Sequence, residues 1–341
     1  MENKKIIYLV PYDAMGGVEV AAKELLDVSS KNFTFNIKYI FNNRYEVFYP
    51  FKLFKSVKKV IKSQPNVLIL SLWRATIVGI LVKLFLPKVR LILFIHSEKD
   101  THVIDFLLTR IGLLLSIEVW GDSTSSINKR FNFLLKIKKI KKIKKISFNL
   151  KGVDRVVFGD VKPNFIFWGR LSAEKGINRS LIIFSKILKF YPSAVYKIIG
   201  PDCGEQEKLK QLCVELKINN NVFFFKEKNF IDIQKHAKSA SFYLQTSLFE
   251  GAAMSVIESM KLGLIPMVTP VGDIERYCNN SNSVIIYSNN EVVRDVVMIL
   301  SGCKSSQKLR NKALSTWDYK ENYKDDIMSA CVKIVKNIVL E

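Results

Sequence analysis

Short runs of β-branched and aromatic residues alternate with amphipathic helical stretches from one end of the chain to the other. No other feature of the sequence restricts the fold as strongly. In the first half the strand-like runs are Lys5–Val10, Phe33–Phe41, Asn66–Leu70, Arg90–His96 and Ile117–Gly121. In the second half they are Phe165–Trp168, Val195–Gly200, Asn221–Lys226, Ser241–Thr246, Ile265–Thr269 and Ser283–Tyr287. Helical patterns fill the gaps, such as Gly17–Ser29, Phe54–Ser63 and Arg74–Leu86. Ile177, Leu181, Phe184 and Leu188 mark one face of a further helix that stops before Pro192. Nearly continuous apolar strands in this alternation indicate parallel sheets covered on both faces.

A length of 341 residues suits two such sheets better than one. The expected division is a first domain over 1–160, a second over 161–316, and a last helix over 317–341 beginning at Trp317. With 48% hydrophobic residues there is enough apolar material for two cores, which excludes a disordered chain. The five cysteines are odd in number and lack metal-ligand spacing, the pattern of reduced thiols in a cytosolic compartment. No apolar run reaches the length of a membrane span, and no secretory signal is visible, so a soluble or membrane-surface protein is expected.

The charge is +22 overall and unevenly spread. Residues 1–160 hold 28 basic and 13 acidic side chains, against 25 and 18 in the remainder. That excess calls for an anionic partner: a nucleic acid, an anionic membrane or a phosphate-bearing substrate. The segment Lys136–Lys145 is the extreme case. With Ile146 it carries seven lysines and four isoleucines and no acid, a basic amphipathic stretch suited to an anionic membrane surface. Isoleucines packed on the sheet beneath solvated lysines explain it equally well.

In open α/β sheets ligands bind at the carboxyl ends of the strands, so the loops after strands are where chemistry is expected. Three stand out. The first runs Pro11 to Glu19 and contains Gly16 and Gly17, which let a backbone approach a ligand at a helix start; a plain tight turn is the alternative. The second, Trp168 to Gly176, carries Arg170 and Lys175, cations able to converge on a diphosphate or merely two exposed charges near a helix start. The third, Phe249 to Glu258, sets Glu250 and Glu258 eight positions apart around Ala252, Ala253, Met254 and Ser255. A glutamate pair can grip ribose hydroxyls or sit beside a reacting sugar. Ser255 and Glu258 also have capping-box spacing, which taken alone is the simpler reading. His96 ends a strand and is expected to point toward a ligand cleft. No Asp-x-Asp metal clamp, dinucleotide fingerprint or P-loop occurs.

Taken in order, these loops resemble the retaining glycosyltransferases of the GT-B fold, glycosyltransferase family 4, as found in bacterial surface-polysaccharide synthesis. The resemblance rests on Gly16-Gly17, Gly169-Arg170-Leu171 with Lys175-Gly176, Ile199-Gly200, Glu250 through Glu258, Gly263 through Val268, and Pro270-Val271-Gly272. It is close over 163–290 and looser over 1–160. It implies two Rossmann-like, doubly wound parallel-sheet domains facing a cleft, the first binding acceptor and the second a nucleotide-diphosphate sugar.

Arg170 and Lys175 then neutralise the leaving diphosphate, Glu258 binds ribose, and Glu250 lies by the sugar. His96 lies near sugar and acceptor. Gly16, Gly17, Gly200 and the Ala252–Ser255 amides contact the donor. No cofactor or metal is expected. The implied acceptor is a lipid-linked oligosaccharide at the cytoplasmic, inner face of the membrane, in O-antigen, capsule or lipopolysaccharide synthesis. The residues 251–253 are smaller than the family usually has after the first glutamate. Two other readings are a nucleotide-sugar epimerase of the same fold and a basic nucleic-acid-binding protein. The second lacks any nucleic-acid-binding signature, so no nucleic-acid partner is expected.

Overall fold

The computed structural model describes residues 3–13, 17–26, 30–137, 143–147, 149, 160–317 and 322–340. The chain forms two compact units, Met1–Lys151 with Glu321–Glu341, and Gly152–Lys320.

In the first unit, six strands form one parallel sheet: β1 (Lys4–Val10), β2 (Phe33–Tyr39), β3 (Val67–Ser71), β4 (Arg90–Ile95), β5 (Ser116–Gly121) and β6 (Ile143–Lys145). Their order is β2-β1-β3-β4-β5-β6. The helices between them are α1 (Gly17–Lys23), α2 (Pro50–Lys62), α3 (Leu72–Phe85), α4 (Val103–Leu115) and α5 (Thr124–Ile137). The central strands are buried along their length, as a sheet covered on both faces requires: Ile6 to Val10, Val67 to Leu70 and Leu91 to Ile95 are all within the core. Strand order reverses between β1 and β3, the switch point of this sheet.

The second unit repeats the plan with β7 (Asn164–Trp168), β8 (Val195–Ile199), β9 (Val222–Phe225), β10 (Phe242–Gln245), β11 (Ile265–Val268) and β12 (Val284–Ile285), ordered β12-β11-β10-β7-β8-β9. Its helices are α6 (Ile177–Leu188), α7 (Gln206–Glu215), α8 (Phe230–Ala237), α9 (Met254–Leu262), α10 (Ile274–Tyr277), α11 (Asn289–Leu300) and α12 (Ser306–Ser315). Counted from β7 this is the 3-2-1-4-5-6 order of a doubly wound sheet, with its switch point between β7 and β10. On α6 the expected inner face is in place: Ile177, Leu181 and Phe184 are buried and Leu188 is partly so.

The final helix, α13 (Tyr323–Leu340), returns to the first unit. Asp326 fixes it there, accepting from Ser147 N at 2.8 Å and lying 3.7 Å from Lys144 Nζ. Tyr323 N donates to Asn149 O at 3.1 Å, and Tyr323, Ile327 and Cys331 are buried.

Two expectations need correction. Trp317 is not the start of the last helix. It is buried in the second unit, its ring 5.2 Å from that of Tyr277 and its Nε1 3.4 Å from Met260 Sδ. The lysine-rich segment is not one amphipathic stretch along its whole length, because Ile143–Lys145 is strand β6, paired parallel with β5. A strand uses the same residues by alternation, so Lys144 turns to Asp326 while its neighbours face outward. Residues 138–142 lie outside the described residues.

Candidate functional site

The two loops that flank the switch point of the second sheet meet. Lys175, on the 3-10 turn after β7, places its Nζ 2.6 Å from Glu250 Oε1, on the loop after β10. The same oxygen accepts from Gln245 Nε2 at 2.8 Å and Ser247 Oγ at 2.7 Å. Three donors on one oxygen fix the carboxylate, and Oε2 accepts no hydrogen bond among the described residues. Gln245 is buried at the end of β10 and is itself held, its Oε1 accepting from Tyr243 OH at 2.5 Å and Ser255 Oγ at 3.0 Å.

Glycine geometry permits this approach. Gly176 has φ +60°, and a Cβ there would lie 2.2 Å from Thr246 O. At Gly200 a Cβ would lie 1.8 Å from Gly169 O, so the ends of β7 and β8 close up only because this position is glycine. Arg170 is exposed and pairs with Glu174 at 3.2 Å.

The loop 250–255 is anchored from below. Asp273 N donates to Gly251 O at 3.0 Å, and the buried Tyr277 hydroxyl donates to Ala252 O at 2.8 Å. Ala253 sits in the left-handed region at φ 54°, an unusual conformation for a residue with a side chain, and is the N-cap of α9. The backbone N–H groups of Ala252, Ala253, Met254 and Ser255 donate to no acceptor among the described residues. They lie at a helix start, where the backbone dipole favours an anion.

The capping-box expectation fails here. The helix begins at Met254, so Ser255 is its second residue and Glu258 its fifth, and no side chain caps it. Ser255 bonds Gln245, while Glu258 Oε2 accepts from Trp168 Nε1 at 2.8 Å. Both glutamates therefore bond residues at the ends of β7 and β10 or the loops just after them.

In the first unit, His96 follows β4. Its side chain is 5% exposed, so it is packed in place and not held out toward solvent. Nε2 lies 2.7 Å from Ser71 Oγ, which lies 2.8 Å from Tyr8 OH. Asp122 is 4.0 Å from Nδ1. Burial, with the nearby Arg130 charge, lowers the His96 pKa to about 3, so the imidazole is neutral. The buried Tyr323 of α13 interacts electrostatically with Tyr8, so the last helix reaches the same buried chain. His96 and Ser71 thus join β4 to the β1/β3 switch point. Gly17 opens α1, while Gly16 lies outside the described residues.

Gln245, Ser247, Trp168, Ser71 and Tyr8 were not read from sequence. The available signal was a polar residue closing an apolar strand: Gln245 ends Phe242-Tyr243-Leu244, and Ser71 ends Val67–Leu70.

Residues 154–315 match the family model described as "Glycosyl transferases group 1". An uncharacterized glycosyltransferase of Methanocaldococcus jannaschii is 34% identical over 106 residues, 30% of this chain and 25% of that protein. The chain therefore aligns with about a quarter of that relative's length. Among solved structures, a sucrose-phosphate synthase from Thermosynechococcus elongatus has a TM-score of 0.78 at 13% identity, covering 99% of this chain and 100% of that one. Anabaena HepE in complex with UDP and glucose has a TM-score of 0.78 at 14% identity, covering 97% and 100%. Likeness at this identity speaks to fold. Residues 154–315 thus resemble a glycosyl transferases group 1 domain, and the two parallel six-stranded sheets of the chain have the GT-B fold.

Proposed function

We propose that the protein is a retaining glycosyltransferase. It moves a hexosyl or N-acetylhexosaminyl group from a nucleotide-diphosphate sugar to a lipid-linked oligosaccharide at the inner face of the cell membrane. The product belongs to surface-polysaccharide synthesis of the O-antigen, capsule or lipopolysaccharide kind. The observation that carries this reading is the switch-point cluster of the second unit: the unpartnered N–H groups of Ala252 to Ser255 beside Lys175 and two oriented glutamates.

In this reading the diphosphate lies against those N–H groups. Lys175 and Arg170 meet the charge that grows on it as the glycosidic bond breaks, so their interaction strengthens toward the transition state and lowers the barrier. The cations supply this charge from the chain itself, and no metal enters the proposal. Glu258, oriented by Trp168, receives the ribose hydroxyls. Glu250 presents Oε2 to the sugar. His96, neutral and a poor proton acceptor at this pKa, acts near the acceptor as a hydrogen-bonding group. The UDP-bound state of HepE supports a nucleotide-sugar donor. The basic, exposed surface of the first unit supports a membrane-borne acceptor.

The test is product analysis with a panel of nucleotide sugars and lipid-linked acceptors in EDTA, the anomeric configuration read by NMR. Transfer with retention is expected. Conversion of the donor sugar with no acceptor present would identify an epimerase instead, and transfer with inversion would overturn the retaining mechanism.

A further inference from the structure

The first unit carries an uncovered apolar surface that donor chemistry does not use. Helix α4 buries Thr109, Gly112 and Leu113, yet much of its outer side is apolar too: Val103, Leu107 and Ile111 are exposed by 72%, 54% and 43%, beside Phe106, 44% exposed with the Arg110 guanidinium 3.6 Å from its ring centre. A surface helix ordinarily puts polar residues there, and an exposed apolar patch on a folded chain marks an interaction surface.

Helix α2 adds a second element. Phe51 and Phe54 are exposed by 78% and 68%, and Lys55, Lys58 and Lys62 continue the same stripe at helical spacing. Lys52 and Lys59 flank it, and the helix contains no acid. The two faces are connected at their starts. The Phe48 ring, just before α2, lies 5.9 Å from Trp73 on α3, and Trp73 meets His102, the N-cap of α4, edge-on at 4.9 Å. Helix α3 packs against both. Since α2 follows β2 and α4 follows β4, both begin at the carboxyl edge of the sheet, the edge from which His96 extends.

We infer that α2 and α4 dock the protein on an anionic lipid bilayer. Phe51, Phe54, Val103, Phe106 and Leu107 enter the interface, and the α2 lysines lie on the headgroups. One occupant satisfies both halves of the surface. A second copy of the chain would bury the apolar residues but bring two sets of five α2 lysines together with no acid on either helix. An anionic bilayer accepts the apolar side chains and attracts the lysines. This names the surface used for the membrane partner proposed above. It rests on that part of the proposal and not on the transfer chemistry, and it differs from the segment Lys136–Lys145.

The experiment is flotation of the full chain, without nucleotide or acceptor, on vesicles of phosphatidylcholine alone or with one third phosphatidylglycerol. Wild type should float with the mixed vesicles and far less with phosphatidylcholine. Phe51→Ser with Phe54→Ser, and Val103→Ser with Phe106→Ser and Leu107→Ser, should each lower partitioning by roughly tenfold or more. Lys55→Gln, Lys58→Gln and Lys62→Gln together should lower it on anionic vesicles only. Because these side chains are exposed, every variant should keep a cooperative thermal transition. Unchanged partitioning in both apolar variants, or no flotation of wild type, overturns the proposal. So does a wild-type dimer that the same substitutions convert to monomer without affecting flotation. Nucleotide-diphosphate stabilisation is read separately, so its absence beside normal flotation counts against the transfer reaction and leaves the docking surface standing.

Discussion

Trp168 Nε1 donates to Glu258 Oε2 across 2.8 Å, tying the end of β7 to the second turn of α9. The carboxylate is therefore oriented by a neighbouring strand and has no part in capping its own helix. Replacing Glu258 by Gln keeps an oxygen for the indole but removes the charge that would bind ribose hydroxyls. Donor affinity should fall about tenfold, the difference between hydrogen bonds to a charged and a neutral acceptor, with the thermal midpoint nearly unchanged. Glu258→Ala should lose more affinity and also some stability, because the Trp168 N–H is left without this acceptor. Calorimetric titration and thermal denaturation of both variants check this. Unchanged affinity in Glu258→Ala would remove Glu258 from the donor site.

Lys175→Ala should reduce turnover by about a hundredfold or more, since it removes charge stabilisation realised mainly as the diphosphate departs. Arg170→Ala should also slow turnover while leaving stability within about 1 kcal/mol, because its pairing with Glu174 is at the surface. Steady-state assays in EDTA measure both. Wild-type turnover should be unaffected by the chelator, and inhibition reversed by magnesium would count against the metal-free reading.

Gly176→Ala should destabilise the second unit by at least about 1–2 kcal/mol, the cost of a left-handed conformation for a residue with a Cβ. The added clash with Thr246 O at 2.2 Å should also separate the loops after β7 and β10. Denaturant unfolding gives the first effect and donor titration the second.

His96 makes stability depend on pH. Its folded pKa, about 3, is below that of an unfolded histidine, so the unfolded chain binds the extra proton. The stabilisation it gives is complete above roughly pH 6.5 and is lost progressively as pH falls toward 3. Between pH 7.5 and 5.5 this should cost about 1 kcal/mol. Denaturation midpoints of wild type and His96→Gln at the two values should show the drop shrinking in the variant.

The alternation of apolar strands and helical patterns made both parallel sheets legible, because buried strands and amphipathic helices impose different periods on the sequence. Strand β6 was not legible at its bounds: Ile143, Lys144 and Lys145 pair at a sheet edge, and isoleucine at every third position does not give the period of two that marks a strand. That Lys175 and Glu250 meet was only partly legible: both sit in glycine-bearing loops after strands, but two exposed charges fitted the Lys175 loop as well. The cap at Ser255 was misread because Ala253, in a left-handed conformation with no sequence mark, starts the helix early. The partners Gln245 and Trp168 are invisible until β7 and β10 are known to be neighbours, which depends on strand order, and composition does not give that.

The central claim, that the switch point of the second unit binds a nucleotide diphosphate, is tested most directly by thermal stabilisation of the full chain with a panel of nucleoside diphosphates and their sugars in EDTA. A ligand at a hundred times its dissociation constant should add about 2.7 kcal/mol of stability. At least one nucleotide should do so in wild type, and Lys175→Ala and Glu258→Gln should each shift its half-saturation to higher concentration. No stabilisation by any nucleotide, or equal stabilisation in both variants, would contradict the account.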